Sequence, residues 1–273
     1  MKKCSNRKSI VILTAMPQEV EVYKEYFDSD SIKEENTGLL DVTRGTIQGY
    51  STILVKTGMC KTNAAIASQH LIDHYDPLAV IMSGTAGGLQ PYLEKSDVVV
   101  AESAAHHDIF VPIPAYQGRR GEIPEFRVSG NKRPRDLWFK SDEYLKKTAL
   151  NLGTLYSNQF KIHEGKIISG EYFATDDQKK ELLRHFPGAA AIDMEYAAVA
   201  QTVCRNNAAR GRGNNAKDAI GVLGVKGIPD TLGSPAETDF DLYLDKSAKH
   251  AAHLVASLIE KISHDDTFSI ASR

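Results

Sequence analysis

The sequence predicts an α/β domain with a mixed, largely parallel central sheet flanked by helices. Three observations carry this. Short, apolar, β-branched runs of strand length recur along the chain. They alternate with longer segments of helical periodicity. Several of the runs end in glycines or acids, where an open α/β sheet presents its carboxyl ends to a ligand. The chain has 273 residues, 42% hydrophobic and 25% charged, with a formal net charge of −2. That balance is ordinary for a globular protein, and the length suffices to bury most of the apolar surface. Residues 1–273 are read as a single domain with its core at about 9–263 and frayed, flexible ends.

Residues 9–15 (Ser-Ile-Val-Ile-Leu-Thr-Ala) are a buried strand. Pro17 then opens a helix through Glu19, Val20, Val22 and Tyr23, at a position where a missing N–H costs nothing. Residues 39–48 and 50–56 form a hairpin around Gly49. Residues 63–75 form an amphipathic helix with Ala65, Ile66, Leu71 and Ile72 on its apolar side. Strands follow at 78–82, 97–101 and 161–169. The stretch 111–135, rich in Pro, Gly and Arg, is a long loop. A helix at 177–185 precedes a short strand at 189–193, and a helix at 195–205 leads into a polar loop at 206–217. A strand at 219–226 and a C-terminal helix at 242–262 complete the order. The last helix carries Ala248, Ala251, Ala252, Val255, Leu258, Ile259 and Ile262 on one face.

Several function classes fall away. A net charge of −2 makes no global case for nucleic acid. No apolar run reaches the roughly 18 residues a membrane span needs, and residues 10–15 are too short for a signal-peptide core. Cys4, Cys60 and Cys204 are odd in number and lack metal-ligand spacing, so they are expected to be idle thiols in a reducing cytoplasm. His106-His107-Asp108 has no third ligand at useful spacing, so neither a metal nor any cofactor is expected, and His107 should line or close the pocket.

Four segments stand at strand ends: Ala15-Met-Pro-Gln-Glu19, Ser83-Gly-Thr-Ala-Gly-Gly88, Asp193-Met-Glu195 and Lys226-Gly-Ile-Pro-Asp230. Each has a plain structural explanation. Glu19 and Glu195 would suit helix starts, where an acid complements the dipole. The glycines would permit a tight turn, and Asp230 would be an ordinary turn residue. The Gly-rich segment lacks the spacing of dinucleotide and phosphate loops. Together, however, carboxyls gathered at one sheet edge suit cleavage of an N-glycosidic bond. They can protonate a departing base, hold a water and support a cationic sugar without metal or cofactor.

These segments, in this order, with Thr57-Gly-Met-Cys-Lys-Thr-Asn-Ala-Ala65, Asp97-Val-Val-Val100, His107-Asp108 and Ile168-Ser-Gly-Glu-Tyr-Phe173, resemble the nucleoside phosphorylase/nucleosidase superfamily. The likeness runs from about residue 10 to 262 and is greatest to the 5′-methylthioadenosine/S-adenosylhomocysteine nucleosidase branch. The resemblance implies that Asp230 protonates the purine at N7 and Glu19 positions and activates water. It implies that Glu195 and Met194, with Asp193 at the head of that motif, hold the ribose. Phe173 would stack on the base and the backbone of Ala174 would read its edge. Ala15, Thr85, Ala86 and Gly87 would line the sugar side, and Lys226 would stand where the family has an arginine. It further implies a homodimer in which the partner closes the 5′ side of the pocket.

Phosphorylases of the superfamily carry a phosphate cradle with arginines. Here Glu19 stands at the first such position, and Ile81, Met82 and Ser83 at the second, so water is the expected nucleophile. The chain departs from the pattern at Pro229, which supplies neither hydroxyl nor N–H. It also adds cations at Arg119, Arg120, Arg127, Lys132, Arg133 and Arg135, and at Arg210 and Arg212. If those loops fold over the pocket, the substrate would be AMP or ATP rather than a nucleoside. A purine nucleoside phosphorylase and a catalytically inactive nucleoside sensor are the remaining alternatives.

Overall fold

The computed structural model describes residues 9–110, 120–121, 137–156, 158–211, 219–233 and 236–264. The chain enters through β1 (Ile10–Thr14), α1 (Pro17–Glu21) and a 3₁₀ turn at Lys24–Tyr26. An antiparallel meander of β2 (Lys33–Asn36), β3 (Asp41–Ile47) and β4 (Tyr50–Lys56) follows, then α2 (Lys61–Tyr75). Next come β5 (Ala79–Thr85), β6 (Gly87–Gly88), β7 (Val98–His106), β8 (Phe139–Lys140), α3 (Glu143–Asn151) and α4 (Gly153–Tyr156). The chain closes with β9 (Ile162–Ser169), α5 (Asp176–His185), β10 (Ala189–Asp193), α6 (Tyr196–Ala209), β11 (Gly221–Gly227) and α7 (Ala236–Ser263).

The described strands form one mixed sheet in the order β2-β3-β4-β1-β5-β11-β7-β9-β10-β6, with β8 added to β7. The ladders β4-β1-β5-β11 and β7-β9-β10 are each parallel inside, and the two blocks meet antiparallel where Lys226 faces Val99. The last strand in the order, β6, is separated from β5 by Ala86 alone. It pairs antiparallel with β10, Gly88 opposite Ala191. The run from β5 to β6 therefore bends round on itself. A backbone bond from Ala86 N to Gly227 O (3.0 Å) and another from Gly88 N to Asp230 O (2.8 Å) tie the seam to the segment after β11. The carboxyl ends of β1, β5, β10 and β11 converge at this seam.

Both faces of the central sheet are covered, as their continuous apolar runs require. In β1, Val11 and Leu13 pack with Leu71 and Ile72 of α2 and Val199 and Val203 of α6. Ile10 and Ile12 point the other way, toward Leu145 of α3 and Val255, Leu258 and Ile259 of α7. This is the period-2 alternation of a strand serving two cores. All seven apolar residues expected on the C-terminal helix are buried there. Among the described residues no helix is long and apolar enough to cross a membrane.

Four local expectations need correction. The buried stripe of α2 is Ala64, Ala67, Ser68, Leu71 and Ile72, whereas Ala65 is half-buried and Ile66 exposed. The polar stretch after 205 continues as helix to Ala209, because the Asn207 amide turns inward and bonds both N and O of Ile220 at 2.9 Å. The last helix begins six residues earlier, at Ala236. The helix after Pro17 stops at Glu21, its continuation being the 3₁₀ turn. Elements β2, β6, β8, α3 and α4 lie in segments where the sequence predicts no strand or helix. The loop 111–135, apart from Arg120 and Gly121, and residues 1–8, 212–218 and 265–273 lie outside the described residues.

Candidate functional site

A cleft opens at the seam. Each strand end contributes. From β1 come Ala15 and Met16, and from the turn after them Glu19. Pro17 starts α1, and Glu19, in its first turn, folds its carboxylate back over the helix start. Its Oε2 accepts from the N–H groups of Ala15 (2.9 Å) and Met16 (3.0 Å). Its Oε1 accepts from Thr85 N (2.9 Å) and Thr85 Oγ1 (3.1 Å). Glu19 therefore does cap the helix, as its position suggested, yet it is only 2% exposed and faces the cleft. Gly84 is what admits it: a Cβ there would lie 2.5 Å from Glu19 Oε1.

From β10 come Ile192, Asp193, Met194 and Glu195. Asp193 accepts from Ser169 Oγ and from Tyr196 N at 3.1 Å, which fixes it at the start of α6. Glu195 Oε1 accepts from Cys60 N at 3.1 Å, a bond that brings the start of α2 to the site. Burial pushes the Glu195 carboxyl up to about 7, Lys226 opposing and the nearby Asp193 and Glu19 reinforcing.

Lys226 was expected to meet ligand; instead it stands behind the cleft wall. Its ammonium is 3.0 Å from Asp193 Oδ2 and 3.7 Å from Glu195 Oε2, and it is 1% exposed. A lysine on the buried last turn of β11 reaches its two acids before it reaches the cavity.

Beyond β11, Asp230 lines the cleft at 1% exposure. Its Oδ2 forms an ion pair with Lys179 of α5, while Oδ1 is buried with no hydrogen-bond partner among the described residues. Burial holds Asp230 above the ordinary carboxylate range, with Lys179 pulling it back and Asp239 and Asp176 pushing it up.

Thr85, Ala86 and Gly87 line the floor. Phe173 and Ala174, on the turn after β9, line the mouth with Tyr172. Phe240 of α7 meets Phe173 edge-on, with ring centroids 5.5 Å apart. Met16 and Met59 extend this apolar wall. Apart from Lys226 and His107, the residues expected to form the site all line one cavity. Those not singled out individually are Met16, Met59, Tyr172, Lys179, Ile192 and Phe240. Met16, Met59 and Tyr172 lay inside the quoted motifs. Phe240 lay on the turn of α7 before the expected helix start. Lys179 sat in a run of charged residues that reads as a solvated face.

His107 is buried behind Tyr172, ring centroids 5.1 Å apart, and is not on the cleft surface. Asp108 pairs with Lys61 and accepts from Glu171 N at 3.0 Å. Arg120 donates from Nε to His107 O at 2.9 Å and lies 3.6 Å from Glu181. Arg210 is held by Asp73 (3.2 Å) and Asp76 (2.9 Å). Arg119, Arg127, Lys132, Arg133, Arg135 and Arg212 lie outside the described residues.

Comparison with known proteins bears on this arrangement. The chain is 28% identical over 254 residues to a 5′-methylthioadenosine/S-adenosylhomocysteine nucleosidase of Bacillus thuringiensis, covering 93% of this chain and 99% of that one. The corresponding nucleosidase of Bacillus cytotoxicus is 26% identical with the same coverage. Among solved structures, the nucleosidase of Neisseria meningitidis in complex with methylthio-immucillin-A superposes with a TM-score of 0.79 at 27% identity, over 93% of this chain and 99% of that one. A futalosine hydrolase of Helicobacter pylori superposes at 0.77 and 25% identity, over 93% and 98%. The model of the phosphorylase superfamily matches residues 9–260. With nearly its whole length matched, the chain belongs to the phosphorylase superfamily.

Proposed function

We propose that the protein is a purine nucleosidase that hydrolyses the N-glycosidic bond of an adenine nucleoside such as 5′-methylthioadenosine or S-adenosylhomocysteine. Asp230 gives a proton to N7 of the base. The C1′–N9 electron pair leaves with the base, so the base departs neutral. Glu19 holds a water on the opposite side of the sugar and takes its proton as the oxygen bonds to C1′. The products are free base and free sugar. Glu195, Asp193 and Met194 hold the ribose, Thr85, Ala86, Gly87 and Ala15 line the sugar side, and Phe173 and Ala174 hold the base.

The observation that carries this reading is Glu19. Its carboxylate is fixed by Ala15, Met16 and Thr85, at the position where, by the resemblance, a phosphorylase would carry its phosphate cradle. A carboxylate accepts from water and repels phosphate. The apolar side chains of Met16, Met59 and Phe240 favour a thioether at the 5′ carbon over a phosphate. A homodimer is part of the same proposal: by the resemblance a partner closes the 5′ side of the pocket, where Met59 is exposed in the single chain. We also place the protein in the cytoplasm, a setting that the free thiols of Cys60 and Cys204 suit.

The test is a chromatographic assay of methylthioadenosine with and without inorganic phosphate. Adenine should appear at the same rate in both, with free sugar as co-product. A strict phosphate requirement would assign a phosphorylase, and binding without base release would assign a sensor.

A further inference from the structure

Two adjacent lysines on α5 have opposite fates. Lys180 is on the outside, paired with Asp176 at 2.6 Å and half exposed. Lys179 turns inward, is 2% exposed, and reaches the cleft surface beside Asp230. Thr175 caps α5 and takes the Lys179 N–H at 2.9 Å, so the side chain leaves a well-anchored first turn. Gly87 leaves room for it: a Cβ there would lie 2.9 Å from Nζ and 3.0 Å from Cε of Lys179. An ammonium at this depth is costly unless paired. Its ion-pair partner among the described residues is Asp230.

The consequence for Asp230 is geometric first. A carboxyl has two oxygens, and the ammonium occupies Oδ2. Oδ1 is left without a partner, on a residue that lines the cleft. The groups facing Asp230 are Lys179 and Asp176 from α5 and Asp239 from α7, the last paired with Lys95. Lys179 is the cation in direct contact.

We propose that Lys179 is a positioning residue for the acid: its ammonium holds Oδ2, so that Oδ1 is the oxygen presented to the base. This rests on the nucleosidase reading. Burial, Asp239 and Asp176 all favour the protonated carboxyl, and Lys179 opposes them. Without the cation, Asp230 keeps its proton to higher pH. The basic limb of the kcat profile, where activity falls as the acid deprotonates, then moves upward. The proton is also given up less readily, and the carboxyl is no longer fixed, so plateau kcat falls.

The experiment compares pH profiles of kcat and KM for wild type, Lys179→Met and Lys179→Arg on the nucleoside that wild type cleaves. The Met variant should lose about tenfold or more in plateau kcat with KM changed within about threefold. Its basic limb should move up by about one pH unit or more. The Arg variant, which keeps the cation, should hold the limb near wild type. If Lys179→Met does not fold by circular dichroism, Lys179→Gln serves, since its amide can still donate to the carboxyl but carries no charge, and it should move the same limb upward. A folded Met variant, or Lys179→Gln in its place, with an unmoved limb overturns the proposal for Lys179 alone. So does an Arg variant shifted as far as Met. A wild-type protein that releases no base overturns the nucleosidase reading and this inference with it.

Discussion

The cleft holds two clusters of buried charge, and they are built differently. On one side Glu19, Asp193 and Glu195 line the cavity while their lysine, Lys226, stands behind the wall. On the other, Asp230 and Lys179 both line the cavity and face each other. The charges that act on Glu195 are Lys226, Asp193 and Glu19, and those that act on Asp230 are Lys179, Asp239 and Asp176. The strongest electrostatic influences on each acid thus come from within or beside its own cluster. The first presents an excess of carboxyl oxygen to the ligand, which suits a sugar that becomes cationic in the transition state. The second presents one acid balanced by one base, which suits a single proton given to a leaving group. What decides the role is whether the lysine is behind the acids or in front with them.

The largest effect should come from removing the proton of the second cluster. Asp230→Asn keeps size and most contacts, and turnover should fall roughly 10²- to 10⁴-fold. KM should change much less, since the loss lies in the transition state. A folded variant with wild-type kcat would make the two clusters interchangeable and the assignment of the acid wrong.

The first cluster was far more legible in the sequence than the second. Glu19, Asp193 and Glu195 each sit within three residues of a strand end or helix start, so the order of elements placed them. Lys226, in the same motif, was placed correctly but given the wrong neighbours: strand position fixes which end of the sheet a residue reaches, not whether two acids intercept it. Lys179 could not be read at all. Asp176, Asp177, Gln178, Lys179 and Lys180 form a polar run, and nothing in its composition tells which lysine faces inward with Leu182. The closure of β6 onto β10 was likewise invisible, since Gly87 and Gly88 carry no strand signal. The sheet blocks and the faces of α7 were legible because apolar periodicity is a local property.

A middle-sized effect concerns Glu195. Burial raises its carboxyl from 4.5 to about 7. The folded state therefore holds that proton more tightly than the unfolded chain. Its contribution to stability is full below about 4.5 and is lost as pH rises through about 7. Ligand binding should run the other way, because ribose hydroxyls donate to the ionised form. Nucleoside affinity, measured by calorimetry with the Asp230→Asn variant to prevent turnover, should weaken as pH falls below about 7, by up to about tenfold per unit. An affinity independent of pH across that range would remove Glu195 from the ribose contacts and erase the difference between the clusters.

The smallest effect should come from Arg210, and it bears on what lies beyond both clusters. The added cations raised the prospect of a 5′-phosphate on the substrate. Arg210 is among the few of them that the structure describes, and it closes the far end of α6. Glu195 stands just before that helix and Arg210 just after it, with 14 helical residues between them. At about 1.5 Å per residue the two are roughly 20 Å apart along the axis, too far for one nucleotide to touch both. The guanidinium is also occupied by Asp73 and Asp76. Arg210→Ala should therefore leave the ratio of kcat/KM for AMP and methylthioadenosine within about twofold of wild type, and cost at most about 1 kcal/mol of stability, as partly exposed ion pairs do. Thermal melts and paired kinetics would measure both. A tenfold fall in the ratio, about 1.4 kcal/mol of selectivity, would mean that this cation does reach the substrate and that the apolar side chains of Met16, Met59 and Phe240 are not what receives the 5′ group.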